Sequence, residues 1–407
     1  TEVYQFSYYN PETFTLYWFN NDNQIYKITS DNIKLIDNGT DGVLFLYQRD
    51  YTPNILSIDD NARKLYDDCS EQPLLDKYLI SRVNFEDNGL TLAEKQQLLE
   101  LWFYSLFFES IMPTKPILAI LGEAGSGKSM TIRQIGKLLF GDSFNVMCLT
   151  NDAKDFDSAV SNNYLVAIDN VDTSTKWLND KLAAIATGTV LQKRKYYTTN
   201  DQETISIRCF LALTSNNPHF RREDITDRLL LLRVARIEKF VSEGVLLKEI
   251  SNNRQEILTE IAFILQEIIQ CLKEESDKRY GSNFRMADFA DFAIKIGKGL
   301  FSEETIRDIF IKLKKEQSMF TLENDEIVEL LYLWIDRNPA GREITSSQLC
   351  SELSSIAENI NIPFFYKDKP RSFAQRLSRL KRNLQELFVI NERKAGGNKK
   401  FYSFKKR

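Results

Sequence analysis

An α/β fold built on a parallel sheet is predicted for the middle of this chain by three patterns in its sequence. Between Pro116 and Val234, short apolar segments of β type alternate with amphipathic helical segments, which is typical of parallel strands covered by helices. Residues 1 to about 60 contain alternating runs such as TLYWF and QIYKI between Asn, Asp and Gly turns, which predict a small β-rich region. From about 237 to 320, apolar residues recur at helical spacing, which predicts a helical subdomain.

The order of these patterns divides the chain into five predicted segments. They are a β-rich region over 1–72, a helical connector over 73–114, the α/β core over 115–236, a helical lid over 237–320 and a C-terminal domain over 321–407. The main helix of the connector should begin at Thr91, which forms a capping-box pattern with Glu94. The last segment is expected to have helices over 323–337, 346–359 and 371–387, followed by two strands around Gly396 and Gly397. Three helices with a β-hairpin indicate a winged helix-turn-helix.

The composition excludes several classes of protein. The chain has 407 residues, of which 43% are apolar and 12% aromatic, so it can build more than one buried core. Its longest apolar stretches, such as Leu229–Val234, are far shorter than the roughly 20 residues that cross a bilayer. No secretory signal precedes the first polar segment. We therefore expect a soluble protein in the cytoplasm of a bacterial or phage-infected cell, without a membrane partner.

The cysteines, the first residue and the charge add three further expectations. Five scattered cysteines and a single histidine, His219, argue against both a disulfide framework and a zinc site. The chain begins at Thr1 rather than at methionine, so we expect that another domain precedes it in a longer protein. Residues 367–407 contain fourteen Lys and Arg against three Asp and Glu, a charge of +11, while the whole chain carries −4. A basic end on an acidic body predicts contact with a polyanion.

A phosphate-binding loop is predicted where PILAIL, a segment of β type, is followed by the amphipathic helix SMTIRQIGKLLFG. Between them lies G-x-x-x-x-G-K-S, in the strand, loop and helix context that this motif requires. Its glycines let backbone N–H groups turn toward phosphates at a helix N-terminus. Lys128 is expected to reach the β- and γ-phosphates of ATP, and Ser129 to bind Mg²⁺. The residues predicted to hold the nucleotide are Gly122, Glu123, Ala124, Gly125, Ser126, Gly127, Lys128, Ser129 and Met130.

Acidic and amide side chains follow the next two strands of the predicted sheet. Asp169 ends the strand of NYLVAIDN, where a carboxylate beside the phosphate loop can hold Mg²⁺. The next residue, Asn170, can position a water molecule but cannot take its proton, so either Asp172 supplies the missing base or turnover is slow. A capped strand end is the structural alternative. Asn216, which ends the strand of ISIRCFLALTSNN, is expected to sense the γ-phosphate, unless the Asn pair there only forms a turn.

Two arginines follow in RREDITDRLLLLRV, before a fourth apolar strand. Arg222 and Arg228 cannot easily reach the nucleotide of their own subunit, but either could reach the nucleotide of a neighbour. An arginine finger of that kind contributes roughly 10³ to 10⁵ in rate. The alternative is a simple ion pair with a carboxylate of REDITDR, which contributes little at a surface.

With the phosphate loop, Asp169, Asn216 and Arg228 in this order, the middle of the chain resembles an AAA+ ATPase core. Its compact spacing and its LTSN segment are similar to superfamily 3 helicases, and DITDRLLLLRV is similar to the finger region of minichromosome-maintenance-type helicases. Replication proteins of phages, plasmids and mobile elements combine these features, often behind a primase-polymerase domain. The resemblance covers residues 85–300, and the predicted winged helix also suits such a protein.

The resemblance implies a homo-oligomeric ring, a hexamer, that hydrolyses ATP between its subunits and moves along single-stranded or forked DNA. It gives ATPase roles to Gly122, Gly125, Gly127, Lys128, Ser129, Asp169, Asn216 and Arg228. Asn170 departs from the acidic pair of such enzymes, which leaves the catalytic base open. Arg285, in FRMADFADFA, could act as a second arginine sensor from the lid or be an ordinary residue of a helix surface.

A β-hairpin is predicted in TVLQKRKYYTTNDQETISIR, just before the sensor strand. Helicases of the resembling group point such a hairpin into the channel of the ring. Here Lys193, Arg194 and Lys195 would meet phosphates. Tyr196 or Tyr197 would stack on a base, because cationic and aromatic groups together suit single strands. Packing of the tyrosines on the strand face is the alternative.

A second DNA-binding surface is predicted in the basic tail. The helix of RSFAQRLSRLKRNLQELF has an apolar face, and Arg376, Arg379 and Arg382 lie away from that face. The following strands carry Arg393, Lys394, Lys399 and Lys400. Together the helix and the strands predict a surface for duplex DNA, although solubility or an acidic protein partner would also account for the charge.

These features favour an ATP-driven DNA motor over two other functions. An AAA+ initiator or loader would use ATP to assemble on an origin without unwinding it, and Asn170 slightly favours such a slow switch. A small-molecule kinase shares the phosphate loop, but the arginines after the sensor and the basic tail argue against it. Unwinding of a duplex distinguishes the motor from the switch.

Overall fold

The computed structural model describes residues 2–67, 72–172, 175–188, 190–194, 202–339, 341–395 and 399–407. The chain divides into two units. Unit 1 comprises Thr1–Phe220 and Asp227–Leu313, and unit 2 comprises Arg221–Thr226 and Lys314–Arg407. The finer division into five segments stays a prediction. None of the helices in the described ranges is long and apolar enough to cross a membrane.

Unit 1 begins with the predicted β-rich region. Its strands are β1 (Val3–Tyr4), β2 (Ser7–Asn10), β3 (Thr15–Phe19), β4 (Gln24–Ile28), β5 (Ile33–Asp37) and β6 (Leu44–Phe45). Strands β2 to β5 form an antiparallel sheet in chain order, and β1 pairs in parallel with β6. Strand β3 is buried along its whole length. On one side Phe19 stacks on Phe45 with ring centroids 5.3 Å apart, and on the other Trp18 meets Phe107 at 5.0 Å. The sheet therefore shares the apolar core of unit 1.

Three helices lead from this sheet to the central one. They are α1 (Asp60–Asp67), α2 (Leu74–Tyr78) and α3 (Leu92–Ser105). Helix α3 begins at the predicted capping box, because the Thr91 hydroxyl accepts from the Glu94 N–H and the Glu94 carboxylate accepts from the Thr91 N–H. Its second half is buried almost all round, including Trp102, as expected for a helix without a polar face.

The predicted parallel sheet is present in the middle of the chain. The elements, in order, are β7 (Ile117–Leu121), α4 (Lys128–Phe140), β8 (Met147–Cys148), α5 (Ala153–Asn162), β9 (Leu165–Asp169), α6 (Leu178–Ala186), β10 (Val190–Arg194), β11 (Gln202–Ser206), β12 (Phe210–Ser215), α7 (Glu223–Thr226) and β13 (Leu229–Arg233). The sheet has the order β13-β7-β12-β9-β8, with every pair parallel. Strands β7 and β12 are fully buried, as parallel strands covered on both faces are. The carboxyl ends of all five strands meet at one edge.

The predicted hairpin before the sensor strand is formed by β10 and β11. The two strands are antiparallel, with Lys193 opposite Glu203 and Arg194 opposite Gln202 in the register. The other hairpin candidates, Lys195, Tyr196 and Tyr197, lie outside the described residues.

The segment after β13 is helical, as its spacing predicts. Its helices are α8 (Glu243–Asn252), α9 (Arg254–Glu274), α10 (Ala287–Leu300) and α11 (Glu303–Leu322), and the boundary between the two units falls within α11. In α9 the buried residues include Ile257, Ile261, Leu265, Ile268 and Leu272, at intervals of three and four. This spacing places one apolar stripe on the core of unit 1.

Unit 2 has the three predicted helices and the two predicted strands. Its elements besides α7 and the end of α11 are α12 (Glu326–Arg337), β14 (Ile344–Thr345), α13 (Ser346–Asn359), α14 (Pro370–Leu384), β15 (Phe388–Ala395) and β16 (Lys399–Lys406). The strands form an antiparallel sheet in the order β14-β16-β15. Helix α14 ends earlier than predicted, because residues 385–387 turn into β15. Trp334, Leu353, Phe373 and Phe404 lie in a separate apolar core.

Candidate functional site

The predicted phosphate loop connects β7 to α4 at the carboxyl edge of the central sheet. Gly125 and Gly127 have φ angles of +78° and +83°, in the left-handed region that a side chain disfavours. A Cβ atom on Gly122 would lie 2.2 Å from the backbone oxygen of Val234, so the chain passes too close for any side chain there. The glycines of the motif are therefore required by the backbone geometry itself.

Lys128 lies at the start of α4 and folds back onto its own loop. Its Nζ donates to the carbonyl oxygen of Gly122 at 2.7 Å and to Oδ1 of Asn216 at 2.8 Å. The residue is 7% exposed. Burial lowers the pKa of the ammonium group, against the opposing effect of the carboxylates of Asp169 and Asp172. The fold thus brings the predicted loop lysine and the predicted sensor amide into direct contact.

Asp169, at the end of β9, accepts two hydroxyl hydrogen bonds on one oxygen. Ser129 Oγ and Thr214 Oγ1 each donate to Asp169 Oδ1 at 2.5 Å. The Thr214 hydroxyl in turn accepts from the backbone N–H of Asn170 at 2.9 Å. The two predicted Mg²⁺ ligands, Ser129 and Asp169, are therefore adjacent. Thr214 was not predicted, although its position two residues before Asn216 was the signal that could have found it.

Asp172 holds the turn that follows β12. Its Oδ1 accepts from the Ser215 hydroxyl at 2.5 Å and from the backbone N–H groups of Asn216 and Asn217 at 2.9 and 3.0 Å. Its Oδ2 accepts from the Asn216 side chain at 3.3 Å. Burial raises the pKa of Asp172, but these hydrogen bonds outweigh burial, and the pKa lies below its usual value. A carboxylate engaged on both oxygens is a poor proton acceptor, so the geometry favours a positioning role over the role of base.

Asp172→Asn is expected to destabilise the protein by about 1–3 kcal/mol, because the new amide would present a donor to the donating Asn216 side chain. Since the folded-state pKa of Asp172 is depressed, its carboxylate stabilises the fold above the unfolded pKa of about 4. That contribution is lost as the pH falls through the folded-state pKa. Thermal unfolding from pH 7 to pH 3 should therefore show the two proteins converging in acid. A difference in Tm that stays constant over this range would contradict the assignment.

Asn170 directly follows Asp169 at the end of β9. Its φ angle is +55°, a left-handed conformation that asparagine tolerates better than most residues. Its Oδ1 accepts from Asn216 Nδ2 at 2.8 Å. Asn216 therefore uses its amide oxygen toward Lys128 and its amide nitrogen toward Asn170, and these partners fix the orientation of the amide. The three side chains form one hydrogen-bonded row at the edge of the sheet.

The two finger candidates differ in exposure. Arg222 is 47% exposed and makes two hydrogen bonds to Asp224, at 2.9 and 2.7 Å. Arg222 thus makes an ion pair with a nearby carboxylate, and its role as a finger stays a prediction. Arg228 is only 6% exposed, so it would reach a neighbouring subunit only after a local rearrangement. Arg285 lies 3.9 Å from the carboxylate of Asp227, and its role as a sensor stays a prediction.

Within unit 2, the segment Arg221–Thr226 contacts the end of α11. The guanidinium of Arg221 lies 5.2 Å above the ring of Phe320 and makes an ion pair with Glu323 at 3.2 Å. The hydroxyls of Thr226 and Thr321 share a hydrogen bond of 2.8 Å. Arg222 therefore lies in a segment that is held at both ends by contacts to the end of α11.

The predicted basic surface of unit 2 contains both paired and unpaired cations. Arg376 makes an ion pair with Asp325 at 2.7 Å, Lys400 with Glu392 at 2.9 Å and Arg393 with Glu343 at 2.7 Å. Arg379 and Arg382 are exposed on α14 and have no ion pair within the described residues. Lys399 begins β16, where only the backbone is described. The charge available to a polyanion therefore includes Arg379 and Arg382 on α14.

A groove of about 800 Å³ lies beside the exposed face of α14. Its walls come from the start of α13, from α14 and from β16. The polar residues along it include Ser346, Gln375, Ser378 and Lys400. Hydroxyl, amide and ammonium groups of this kind make most protein contacts to phosphates and base edges.

Comparison of the sequence with known protein families gives a match. Residues 83–308 match the family described as actinomycete integrative conjugative element replication protein, and this range contains the phosphate loop and every other predicted ATPase residue. No curated protein matches the chain. The apo structure of the NrS-1 C-terminal region (305–718) is similar with a TM-score of 0.40 and 13% identity over 96% of both chains. The A form apo structure of that region has a TM-score of 0.39 and 12% identity, also over 96% of both. Because the family match covers more than half of its 407 residues, the chain belongs to the family of actinomycete integrative conjugative element replication proteins.

Proposed function

We propose that this replication protein is an ATP-dependent DNA helicase motor with an AAA+ core, which works as a hexameric ring with ATP bound between subunits. The observation that carries the proposal is the hydrogen-bonded group at the carboxyl edge of the central sheet, in which Lys128 meets Asn216 and Ser129 meets Asp169. The strand order adds support, because it puts the loop strand β7 between the sensor strand β12 and the strand β13 that follows the arginines. Family membership supports a role in DNA replication.

The residues at this edge fit a nucleoside triphosphate and Mg²⁺. Lys128 would exchange its loop carbonyl partners for oxygens of the β- and γ-phosphates. Ser129 and Asp169 would hold Mg²⁺, which takes one or two carboxylates together with phosphate oxygens and water. The metal would neutralise charge on the phosphates. Positioning and electrostatic stabilisation carry most of phosphoryl transfer, and these side chains supply both.

The attacking water would be oriented by amides in this site. Asn170 and Asn216 lie next to each other and can each hydrogen-bond a water molecule, but neither can remove its proton. Asp172 is engaged in holding the turn after β12. We therefore expect slow basal turnover that rises when DNA and neighbouring subunits complete the site.

Two surfaces would contact DNA in this proposal. The hairpin of β10 and β11, with Lys193, Arg194, Lys195 and Tyr196, would follow a single strand in the channel of the ring. Unit 2 would bind duplex DNA as a winged helix, with α14 as the helix that enters the groove. The exposed Arg379 and Arg382 and the neighbouring polar groove support this second part.

Arg379→Ala and Arg382→Ala are each expected to weaken duplex binding and to reduce the salt slope of the affinity by about 1, because each removes one phosphate contact. Arg376→Ala is the matched control on the same helix. Since Arg376 is already paired with Asp325, its loss should change the slope little and lower thermal stability instead. Fluorescence anisotropy with a labelled duplex at several salt concentrations measures all three. A slope for Arg376→Ala as low as those of the other two would contradict this division.

The experiment that tests the proposed function is the steady-state ATPase rate with and without single-stranded DNA, with the mass of the protein followed in the same buffer. Stimulation by DNA together with ring-sized assemblies supports the motor. A monomer whose ATPase ignores DNA would contradict it.

One observation favours a second candidate, an origin-binding initiator or loader that hydrolyses ATP without processive unwinding. Asn170 replaces the acidic residue, and Asp172 is engaged elsewhere, so the site is poorly equipped for rapid turnover. Unwinding of a forked duplex separates the two functions, because only the motor releases the displaced strand with ATP.

A further inference from the structure

A cleft of about 640 Å³ runs from the phosphate loop along α4. Its apolar lining includes Val83, Met130, Ile237 and Phe240. A cleft of this size with mainly apolar walls and a few polar groups is typical of a small-molecule site. Its position next to the loop points to the part of a nucleotide that lies beyond the phosphates.

Gln134 lines this cleft and has an unusual hydrogen-bonding state. The residue is 4% exposed, and its Nε2 has no hydrogen-bond partner among the described residues. An unpartnered buried amide destabilises a fold, so its presence at a cleft calls for an explanation. A ligand that supplies the missing acceptor provides one.

Other polar side chains of the cleft already have partners in the protein. The Asn84 amide donates to the carbonyl oxygens of Ala235 and Arg236, both at 3.1 Å. The Thr131 hydroxyl donates to the carbonyl oxygen of Gly127 at 3.2 Å. These groups are occupied in building the cleft walls, whereas the Gln134 amide donor has no partner in the described residues.

The position of Gln134 on α4 fits a base rather than a phosphate. At 1.5 Å per residue, it lies roughly 10 Å along the helix from Gly127. A triphosphate held at the loop would carry its base toward that end of the cleft. Phe240 is 67% exposed and lies against the loop, with its Cζ 3.2 Å from where a Cβ of Gly125 would be. Its ring offers a face on which a base can stack.

We propose that Gln134 reads the nucleobase and makes the site selective for adenine, an inference that rests on the proposed ATPase function. A glutamine amide pairs with adenine through two hydrogen bonds, accepting from the N6 amine and donating to N7. Guanine and hypoxanthine present O6 and N7, two acceptors, so the amide oxygen would face a carbonyl. The unpartnered donor of Gln134 is the group that this pairing satisfies.

The test compares the binding of ATP, 7-deaza-ATP, ITP and inorganic tripolyphosphate to the full chain with Mg²⁺, by competition against a fluorescent nucleotide. The wild type should bind ATP about tenfold more tightly than ITP or 7-deaza-ATP. Gln134→Leu should abolish this preference and leave tripolyphosphate binding unchanged. Gln97→Leu is the control, because Gln97 on α3 also has a buried amide oxygen without a partner in the described residues but does not line the cleft.

The outcomes separate the two proposals. If the wild type binds neither ATP nor tripolyphosphate, the proposed nucleotide site is wrong. If it binds both, but ATP, ITP and 7-deaza-ATP bind equally, the site stands and the role of Gln134 is overturned. A preference for ATP that persists in Gln134→Leu overturns it as well. Should Gln134→Leu fail to fold, the analogue series on the wild type still tests the proposal, because equal binding of ATP, ITP and 7-deaza-ATP overturns it without a substitution.

Discussion

Lys128→Ala is expected to abolish measurable ATP turnover, a loss of at least about 10² to 10³-fold. The ammonium group of Lys128 is the positive charge of the phosphate loop, and its polar contacts place it between the loop and Asn216. Without it, the β- and γ-phosphates lose their main cationic partner and the sensor amide loses its neighbour. Steady-state ATPase assays over a range of ATP concentrations measure the effect.

Lys137→Ala provides the matched control for this substitution. Lys137 lies on the same helix, α4, and its ammonium pairs with Asp142 at 2.8 Å, outside the site. This variant should retain turnover within a few-fold of the wild type. Thermal unfolding of both variants shows whether either is misfolded. If a folded Lys128→Ala protein hydrolysed ATP like the control, the loop would have no part in catalysis.

Arg228→Ala is expected to preserve ATP binding and to lower turnover in the assembled form by roughly 10³ to 10⁵-fold. The reason is that the resemblance assigns Arg228 to the nucleotide of the neighbouring subunit. The same assay on Arg222→Ala compares the buried candidate with the exposed one. The arginine that acts as the finger is the one whose loss spares binding and removes turnover.

Mixing Arg228→Ala protein with Asp169→Ala protein tests whether the ATP site is shared between two subunits. In a mixed ring, a subunit with an intact Asp169 receives its finger from an Asp169→Ala neighbour, so a fraction of the sites is complete. The mixture should therefore regain turnover that neither variant has alone. If mixed assemblies form but stay inactive, the arginine does not act across an interface.

The parts of the fold that could be predicted are those with local signals. The capping box at Thr91 and Glu94 is contained in four residues, and the structure shows both of its hydrogen bonds. The parallel sheet follows from short apolar segments separated by helical ones. The contact between Lys128 and Asn216 was implied by motif order, because both follow strands whose carboxyl ends share an edge.

The parts that could not be predicted depend on residues far apart in the chain. Asp325, which pairs with Arg376, lies 51 residues away from it, so the sequence gives no sign that this arginine is engaged. Asp172 has the charge of a base, and only the hydrogen bonds from the turn after β12 show its positioning role. Gln134 lies within an ordinary amphipathic helix, and its unpartnered amide becomes visible only when the cleft is formed.

The packing of the N-terminal sheet also depends on residues far away in the chain. Its alternating pattern predicts the strands correctly but does not show which residues elsewhere in the chain pack against them. In the structure Trp18 packs against Phe107 of the adjoining helical segment, so one aromatic cluster belongs to both. Burial on the second face of β3 depends on this tertiary partner.

The attachment of Arg221–Thr226 to unit 2 has a consequence for energy coupling. The segment contains Arg222, whereas Arg228 lies two residues beyond its end, in unit 1. Of the two finger candidates, Arg222 therefore belongs to the unit that carries the basic face of α14. In the proposed ring, DNA on that face that shifts the segment would change the affinity of the neighbouring subunit for ATP. Thermodynamic linkage then requires ATP to change the affinity for DNA by the same factor. In the proposed ring, the C-terminal unit would in that case adjust ATP binding by the neighbouring subunit in addition to holding the duplex.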